Sequence, residues 1–302
     1  MSFLLVDRIT TFESGKRVEG VKHISASEPY LTRMAGSDRP TFISSLIGEA
    51  VGQLAAWSVM HALDFKKRPV AGIVSKVNIF DDVHIGDTLR LSATIDALDG
   101  EAVEYHGAAY VGDRKVFEIE SAIGPMMAMA EMNLEKEVRA QFNQILSLDD
   151  AFSFGDVESE CVDDFQAELE QAAQANVVDS FDKLLEMNQA GETIAEKLVS
   201  QSAPYFIDHF PLKPVLPLTI LLSCKIQLVF YYLKRYFPSE TFCVRSVRKI
   251  KMGQFVSPGE VLQTKMKVKQ KDGQTLFQFK SFVAQKRVCV CEVIVEQGEP
   301  SE

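Results

Sequence analysis

The sequence predicts an α+β protein built from two copies of one unit, each an antiparallel sheet wrapped around a long apolar helix. Three observations point there: an internal repeat, one long apolar segment in each copy, and alternating apolar and polar stretches around each segment. At 302 residues and 46% hydrophobic content the chain can bury a sizeable core, as one large domain or two ordinary ones.

The repeat is legible in short motifs. Asp7…Pro29-Tyr30 recurs as Asp182…Pro204-Tyr205 at an offset of 175 residues, and Lys22 and Ser25 recur as Lys197 and Ser200. Gly15 has a counterpart in Gly191, one residue out of step. Arg39-Pro40 aligns with Lys213-Pro214 at offset 174, and Gly86-Asp87 with Gly259-Glu260 and Asp99-Gly100 with Asp272-Gly273 at offset 173. Offsets that shrink one residue at a time describe a duplication followed by small insertions or deletions.

Each copy opens on an alternating stretch that reads as strand, Arg17 to Lys22 and Thr193 to Leu198. The apolar segments follow, Phe42 to Leu63 and Leu216 to Phe237, each long enough to span a membrane. Glu49 and Gln53 interrupt the first, and Pro217, Lys225, Gln227, Lys234 and Arg235 the second, which favours helices enclosed by sheet over lipid-facing spans. Further alternating stretches, such as Leu89 to Ile95 and Lys265 to Lys269, complete each copy, with Asp-Gly turns leading into the next strand.

The expected units are residues 1–130 and 177–302, with an acidic, helix-leaning connection over 131–176 (Glu135 to Leu146, then Asp163 to Ala173). A connection of that length spans a distance and should run over the outside, leaving the two sheets free to be continuous.

The net charge of −10 is unevenly spread. Residues 1–150 carry 15 Lys and Arg against 22 Asp and Glu, residues 151–180 carry 0 against 8, and residues 181–302 carry 17 against 12. Such a balance repels nucleic acid, while the basic surplus around Arg245, Arg248, Lys249 and Lys251 suits a small acidic partner or simply blunts strand edges. Cys161, Cys224, Cys243, Cys289 and Cys291 have no CxxC spacing and read as free thiols, Cys289 and Cys291 on one strand face. The opening MSFLLVDRITTF has too short an apolar stretch for a signal peptide, so a cytoplasmic protein without a membrane span is expected. His23, His61, His84 and His106 lie outside any motif and read as structural or surface residues. The run Met126 to Met132 could line an acyl tunnel, but packing at a strand end is the favoured reading.

Just before its apolar segment the second copy reads Pro204-Tyr205-Phe206-Ile207-Asp208-His209-Phe210-Pro211-Leu212-Lys213-Pro214-Val215-Leu216-Pro217. This resembles the His-Phe-Pro…Lys-Pro…Pro segment of the bacterial 3-hydroxyacyl-acyl-carrier-protein dehydratases. The opening Phe3-Leu4-Leu5-Val6-Asp7-Arg8, with Gly15-Lys16-Arg17 and Glu28-Pro29, is similar to the start of that family, and Glu49-Ala50-Val51-Gly52-Gln53 matches its helix motif. The resemblance covers both copies and implies a double hotdog, an intramolecular pseudo-dimer.

In that family each active site takes a histidine from one hotdog and a carboxylate from the helix of the other. Fourteen residues after His209, where the family carries its carboxylate, stands Ser223. Counting back fourteen from Glu49 puts Ala35 at the histidine position of the first copy, and counting forward from Pro29 puts Met34 there. Each copy thus lacks one partner and the losses are complementary, so a folded pair assembles one site from Glu49 and His209.

Dehydration of a 3-hydroxyacyl thioester needs a base for the proton beside the thioester carbonyl and an acid for the departing hydroxyl. The resemblance implies His209 as base, oriented by the carbonyl of Val215, and Glu49 as acid, with a pKa raised by burial and a carboxyl held by Gln53. Amides near Leu218 and Thr219, at a helix N-terminus, would meet the enolate oxygen, and no metal or organic cofactor is implied beyond the phosphopantetheine arm carrying the substrate. Leu218 stands where the family usually has glycine, and Lys225 departs from the pattern too, with an acid across the two helices as its expected partner. The carrier implied is acyl-carrier protein, with coenzyme A as the alternative; rival readings are a hotdog thioesterase and an acyl-binding scaffold without activity. Acyl chain length, pathway and further homo-oligomerisation are left open by the sequence.

Overall fold

The computed structural model describes residues 3–33, 39–147, 180–271 and 274–298. In the first half the strands are β1 (Arg8–Glu13), β2 (Arg17–His23), β3 (Leu31–Thr32) and β4 (Thr41–Phe42), followed by helix α1 (Ser44–Ala62). Then come β5 (Lys67–Pro69), β6 (Ile73–Ile79), β7 (Thr88–Leu98), β8 (Ala102–Val111) and β9 (Arg114–Ala128), a short helix α2 (Met129–Met132) and helix α3 (Glu135–Ile145). The second half runs β10 (Lys183–Met187), β11 (Thr193–Leu198), a 3-10 turn (Pro204–Ile207), helix α4 (Leu218–Tyr236), β12 (Phe242–Met252), β13 (Val261–Lys271), β14 (Gln274–Val283) and β15 (Lys286–Gln297).

The main sheet has the order β1-β2-β7-β8-β9-β6-β12-β15-β14-β13-β11-β10, so each half contributes the same succession of strands. Antiparallel pairing of β6 with β12, Asn78 opposite Ser246 through Ile73 opposite Lys251, makes the sheet continuous across the middle.

The duplication is visible in hydrogen bonds as well as in letters. Asp7 Oδ2 accepts the His23 amide at 2.6 Å, and Asp182 Oδ2 accepts the Leu198 amide at 2.6 Å. The β1–β2 pair slips register between Ile9 and Thr11, and the β10–β11 pair between Leu184 and Glu186. Gly86 and Gly259 bond back to Ile24 and Val199, with φ of 92° and 89° that favour glycine. The turn at Asp99 is fixed by its side chain, which accepts the amides of Glu101 and Ala102; its counterpart at Asp272-Gly273 lies outside the described residues.

The helices carry apolar residues on all sides because the sheet encloses them. Leu46, Ala50, Val51, Leu54 and Val59 of α1 and Ile220, Leu221, Cys224 and Val229 of α4 are fully buried. Gly107 of β8 lets α1 approach closely, since a Cβ there would lie 2.6 Å from Val51 Cγ1. Between the helices, Ser45 Oγ donates to the Thr219 carbonyl at 2.8 Å. Among the described residues no helix is long and apolar enough to cross a membrane.

Lys225 corrects one expectation. Its ammonium lies 3.1 Å from Cys289 Sγ and 5.8 Å from the Phe279 ring centroid, facing a sheet strand rather than an acid across the helices. Cys289 and Cys291 do share a buried face, and burial pushes the Cys291 thiol up to about 12. Of the 131–176 connection, α3 lies within the stretch from Glu135 to Leu146, whereas residues 148–176, including Cys161 and the stretch from Asp163 to Ala173, lie outside the described residues. Within the Met126 to Met132 run Met129 and Met132 are buried in packing, and Met127 packs against the small cluster of Val70, Met132, Phe210 and Val215.

Candidate active site

A cavity of about 140 Å³ opens between the halves. Glu49, Gln53, Arg68 and Tyr105 line it from the first half, and His209, Leu218 and Thr219 from the second. Much of the remaining wall is apolar, including Ala55, Val59, Val77, Leu222, Ile226 and Val247.

His209 follows the 3-10 turn, with its amide bonded to the Tyr205 carbonyl at 2.8 Å. Phe210, next in the chain, has φ 48°, a left-handed conformation that is costly for a bulky residue and lets the loop reverse, with the Lys213 amide returning to the Phe210 carbonyl. The ring of His209 donates from Nδ1 to the Val215 carbonyl at 3.1 Å, so in the neutral tautomer Nε2 carries the free lone pair. Burial holds the pKa of His209 below the usual histidine range; Glu49 opposes this and the Arg68 cation reinforces it.

The first half buttresses that ring. Phe3 stacks edge-on against His209 at 5.5 Å between centroids, and its amide donates to Asp208 Oδ2 at 2.7 Å. Phe3 is in turn tied to α1, because Gln53 Nε2 donates to the Phe3 carbonyl at 2.9 Å while Gln53 Oε1 accepts the Leu5 amide at 2.9 Å.

Glu49 sits one turn before Gln53 on α1, and the same Gln53 amide donates to Glu49 Oε1 at 3.0 Å. The other carboxylate oxygen accepts Thr219 Oγ1 from α4 at 2.8 Å. Leu218 is the first residue of α4, so the amides of Leu218 and Thr219 belong to the first turn, where helix N–H groups have no intrahelical acceptor.

The residues singled out in the sequence therefore fall into two groups. His209, Glu49, Val215, Gln53, Leu218 and Thr219 converge on the cavity. Ser223 is buried on α4 and its Oγ accepts Gln227 Nε2 at 3.3 Å, while Met34 and Ala35 lie outside the described residues. Sequence reasoning missed four contributors: Phe3, Asp208, Arg68 and Tyr105. For Asp208 the signal was its place beside His209, an acceptor in an otherwise apolar loop; Arg68 closes the run Lys66-Lys67-Arg68, which reads as solvated surface, and nothing in the sequence separates its last member. The remaining histidines stay apart: His23 meets Thr88, His61 meets Ser14, His84 meets the Pro40 carbonyl, and His106 pairs with Asp96. Among the described residues no group of three or more His, Cys, Asp or Glu side chains could hold a metal ion.

A family model described as ApeI-like, ApeI dehydratase, matches residues 186–292. The 3-hydroxyacyl-[acyl-carrier-protein] dehydratase FabZ of Caldanaerobacter subterraneus subsp. tengcongensis is 36% identical over 130 residues, covering 43% of this chain and 89% of that protein. The enzyme of the same description from Pelotomaculum thermopropionicum is 37% identical over 121 residues, 39% of this chain and 84% of its own length. Among solved structures, the dehydratase domain of PpsC from Mycobacterium tuberculosis in complex with C12:1-CoA superposes with a TM-score of 0.57 at 11% identity, covering 99% of this chain and 100% of that one. An acyl-ACP thioesterase from Bacteroides thetaiotaomicron superposes at 0.53 with 10% identity, over 92% of this chain and 98% of its own. At such identities the two structures establish the double-hotdog fold alone.

Proposed function

Because the chain belongs to the 3-hydroxyacyl-acyl-carrier-protein dehydratase family, a family of hydro-lyases, we propose that it reversibly dehydrates (3R)-3-hydroxyacyl thioesters to trans-2-enoyl thioesters at one composite site. One observation carries the reading: a histidine from the second half and a carboxylate from the first line the same cavity, each held in a defined orientation.

The chemistry follows from those orientations. His209, neutral because burial lowers its pKa, presents Nε2 as the base and takes the proton from the carbon beside the thioester carbonyl. The C–O bond at the third carbon breaks as the Glu49 carboxyl gives its proton to the departing hydroxyl, which leaves as water. Return of the proton from the imidazolium to the carboxylate through water restores the resting state. The amides of Leu218 and Thr219 at the start of α4 stabilise the negative charge on the thioester oxygen meanwhile. The elimination breaks one C–H and one C–O bond, forms the 2,3 double bond and releases water with no net change of oxidation state, so it calls for a base, an acid and donors to the thioester oxygen and for no metal or organic cofactor beyond the phosphopantetheine arm.

Acyl-carrier protein is the proposed carrier, docking near Arg245, Arg248, Lys249 and Lys251. Arg245 pairs with Glu296 and Arg248 and Lys249 pair with Glu292, and the cationic side chains of Arg245 and Lys249 keep 47% and 69% exposure within those pairs. The test is turnover of 3-hydroxyacyl thioesters of graded length on acyl-carrier protein and on coenzyme A, followed by formation of the conjugated enoyl thioester. Turnover of the carrier-protein series with higher kcat/KM supports the reading. Binding of acyl-carrier protein without turnover of any substrate replaces it with a scaffold role, and release of free acid would mark a thioesterase.

A further inference from the structure

Most polar side chains of the cavity are spent on their neighbours. Glu49 accepts from Gln53 and Thr219, Gln53 is also held by Phe3 and Leu5, Ser45 donates to Thr219, and His209 to Val215. Arg68 is different. It enters from β5, whose residues Lys67 to Pro69 pair with the last three residues of strand β9, and only one hydrogen bond holds its guanidinium among the described residues, Nη1 to Asn133 Oδ1 at 3.0 Å. Its Nε is sealed from solvent without an acceptor, and its flat face lies 4.7 Å from the Phe210 ring centroid.

No carboxylate of the described residues forms an ion pair with it. A cation in such surroundings is costly unless an anion or a set of acceptors meets it. Burial presses its pKa down to about 10, with Glu49 opposing, which leaves it charged at neutral pH. Phe210 and Asn133 fix the plane of the guanidinium, so the unpaired donors have a set direction, which a lysine on a flexible stem would lack.

We propose that Arg68 is a substrate-contacting residue whose guanidinium donates to an oxygen of the bound acyl thioester. This rests on the dehydratase reading for the identity of the ligand. The acceptor has two sources: the thioester carbonyl, common to every substrate, or an oxygen substituent farther along the acyl chain, present on some. The chemistry at Arg68 is the same in both, an oxygen acceptor that binds more tightly if it carries negative charge.

The test compares the wild-type chain with Arg68→Met and Arg68→Lys, each first checked for folding by circular dichroism and urea unfolding. Two 3-hydroxyacyl-carrier-protein substrates of equal length are used, one with an alkyl end and one with a terminal carboxylate. Binding of the matching acyl-pantetheine thioesters that lack the 3-hydroxyl, and so cannot be dehydrated, is measured by calorimetry. Arg68→Met should lower affinity and kcat/KM by at least about tenfold, for both substrates if the carbonyl is the acceptor and for the carboxylate-bearing one alone if the chain is. Arg68→Lys should recover little of the loss. If Arg68→Met does not fold, Arg68→Lys carries the test and is expected to fall by several-fold. A folded variant that binds and turns over both substrates as the wild type does overturns the proposal. Should the wild type turn over neither substrate, the dehydratase reading fails, while a loss of thioester binding in Arg68→Met would still support the contact.

Discussion

Replacing Gln53 by leucine removes a joint between three parts of the molecule. The side-chain amide donates to the Phe3 carbonyl and to Glu49, and accepts the Leu5 amide, all between 2.9 and 3.0 Å. Leucine has nearly the same volume, so the loss is polar: two backbone groups of a buried segment (Phe3 and Leu5 are each 1% exposed) and one carboxylate oxygen lose their partner. An unsatisfied buried group costs about 1–3 kcal/mol. The opening segment keeps the bond from the Phe3 amide to Asp208 and the packing of Phe3 on His209, and can shift enough to recover part of that, so the net cost should be about 2–4 kcal/mol. Urea unfolding reads it as a lower midpoint at unchanged slope. Because Phe3 packs on the His209 ring, turnover should fall at least about tenfold at a urea concentration of zero, where the variant is still folded. A change below about 0.5 kcal/mol with unaltered kcat would refute the view that Gln53 couples the opening segment to the site.

Other predictions follow from the same geometry. Thr219→Val removes the hydroxyl that Glu49 accepts without changing side-chain shape, and should lower kcat by about tenfold with little change in unfolding midpoint. The rate should stay high as pH falls through about 6.5, the ordinary histidine value, and decline only below it, because the folded His209 pKa is depressed; Arg68→Lys keeps that limb in place and Arg68→Met moves it upward. The same depression means the unfolded chain binds the proton first, so stability lost to His209 appears as pH drops below about 6.5 and is absent in His209→Ala. Gly107→Ala places a Cβ 2.5 Å from the Ser92 carbonyl and 2.6 Å from Val51, and should destabilise by about 1–3 kcal/mol in urea unfolding. Lys225→Met, which replaces a fully buried cation by an apolar chain of similar length, should leave stability unchanged or raise it by about 1 kcal/mol.

The fold was legible because duplication doubles every local signal. Asp7 and Asp182 each cap the strand pairing beside them, so a coincidence of letters became the same hydrogen bond twice. The enclosed helices announced themselves by Glu49 and Lys225 within apolar runs, although only the surroundings reveal that Lys225 faces Cys289. The motif around His209 and the motif around Glu49 were readable as strings because each is local, and their meeting across the two helices required the resemblance. What could not be read were the long-range supports. Phe3 reaches His209 across more than two hundred residues, and Arg68 turns inward from a run of three basic residues whose other members, Lys66 and Lys67, pair outward with Glu135 and Glu101. Periodicity assigns faces to strands and helices, and at a three-residue strand such as β5 there is too little of it to assign any.

The central claim is that one site draws its base from the second half and its acid from the first. The most direct test is steady-state turnover of a 3-hydroxyacyl-carrier-protein substrate by His209→Ala and by Glu49→Gln, each purified as the full chain and shown to be folded. The account predicts that each substitution alone lowers kcat by about 10²-fold or more and that the double variant is little worse than either. Either single variant turning over substrate at a rate near that of the wild type would contradict it.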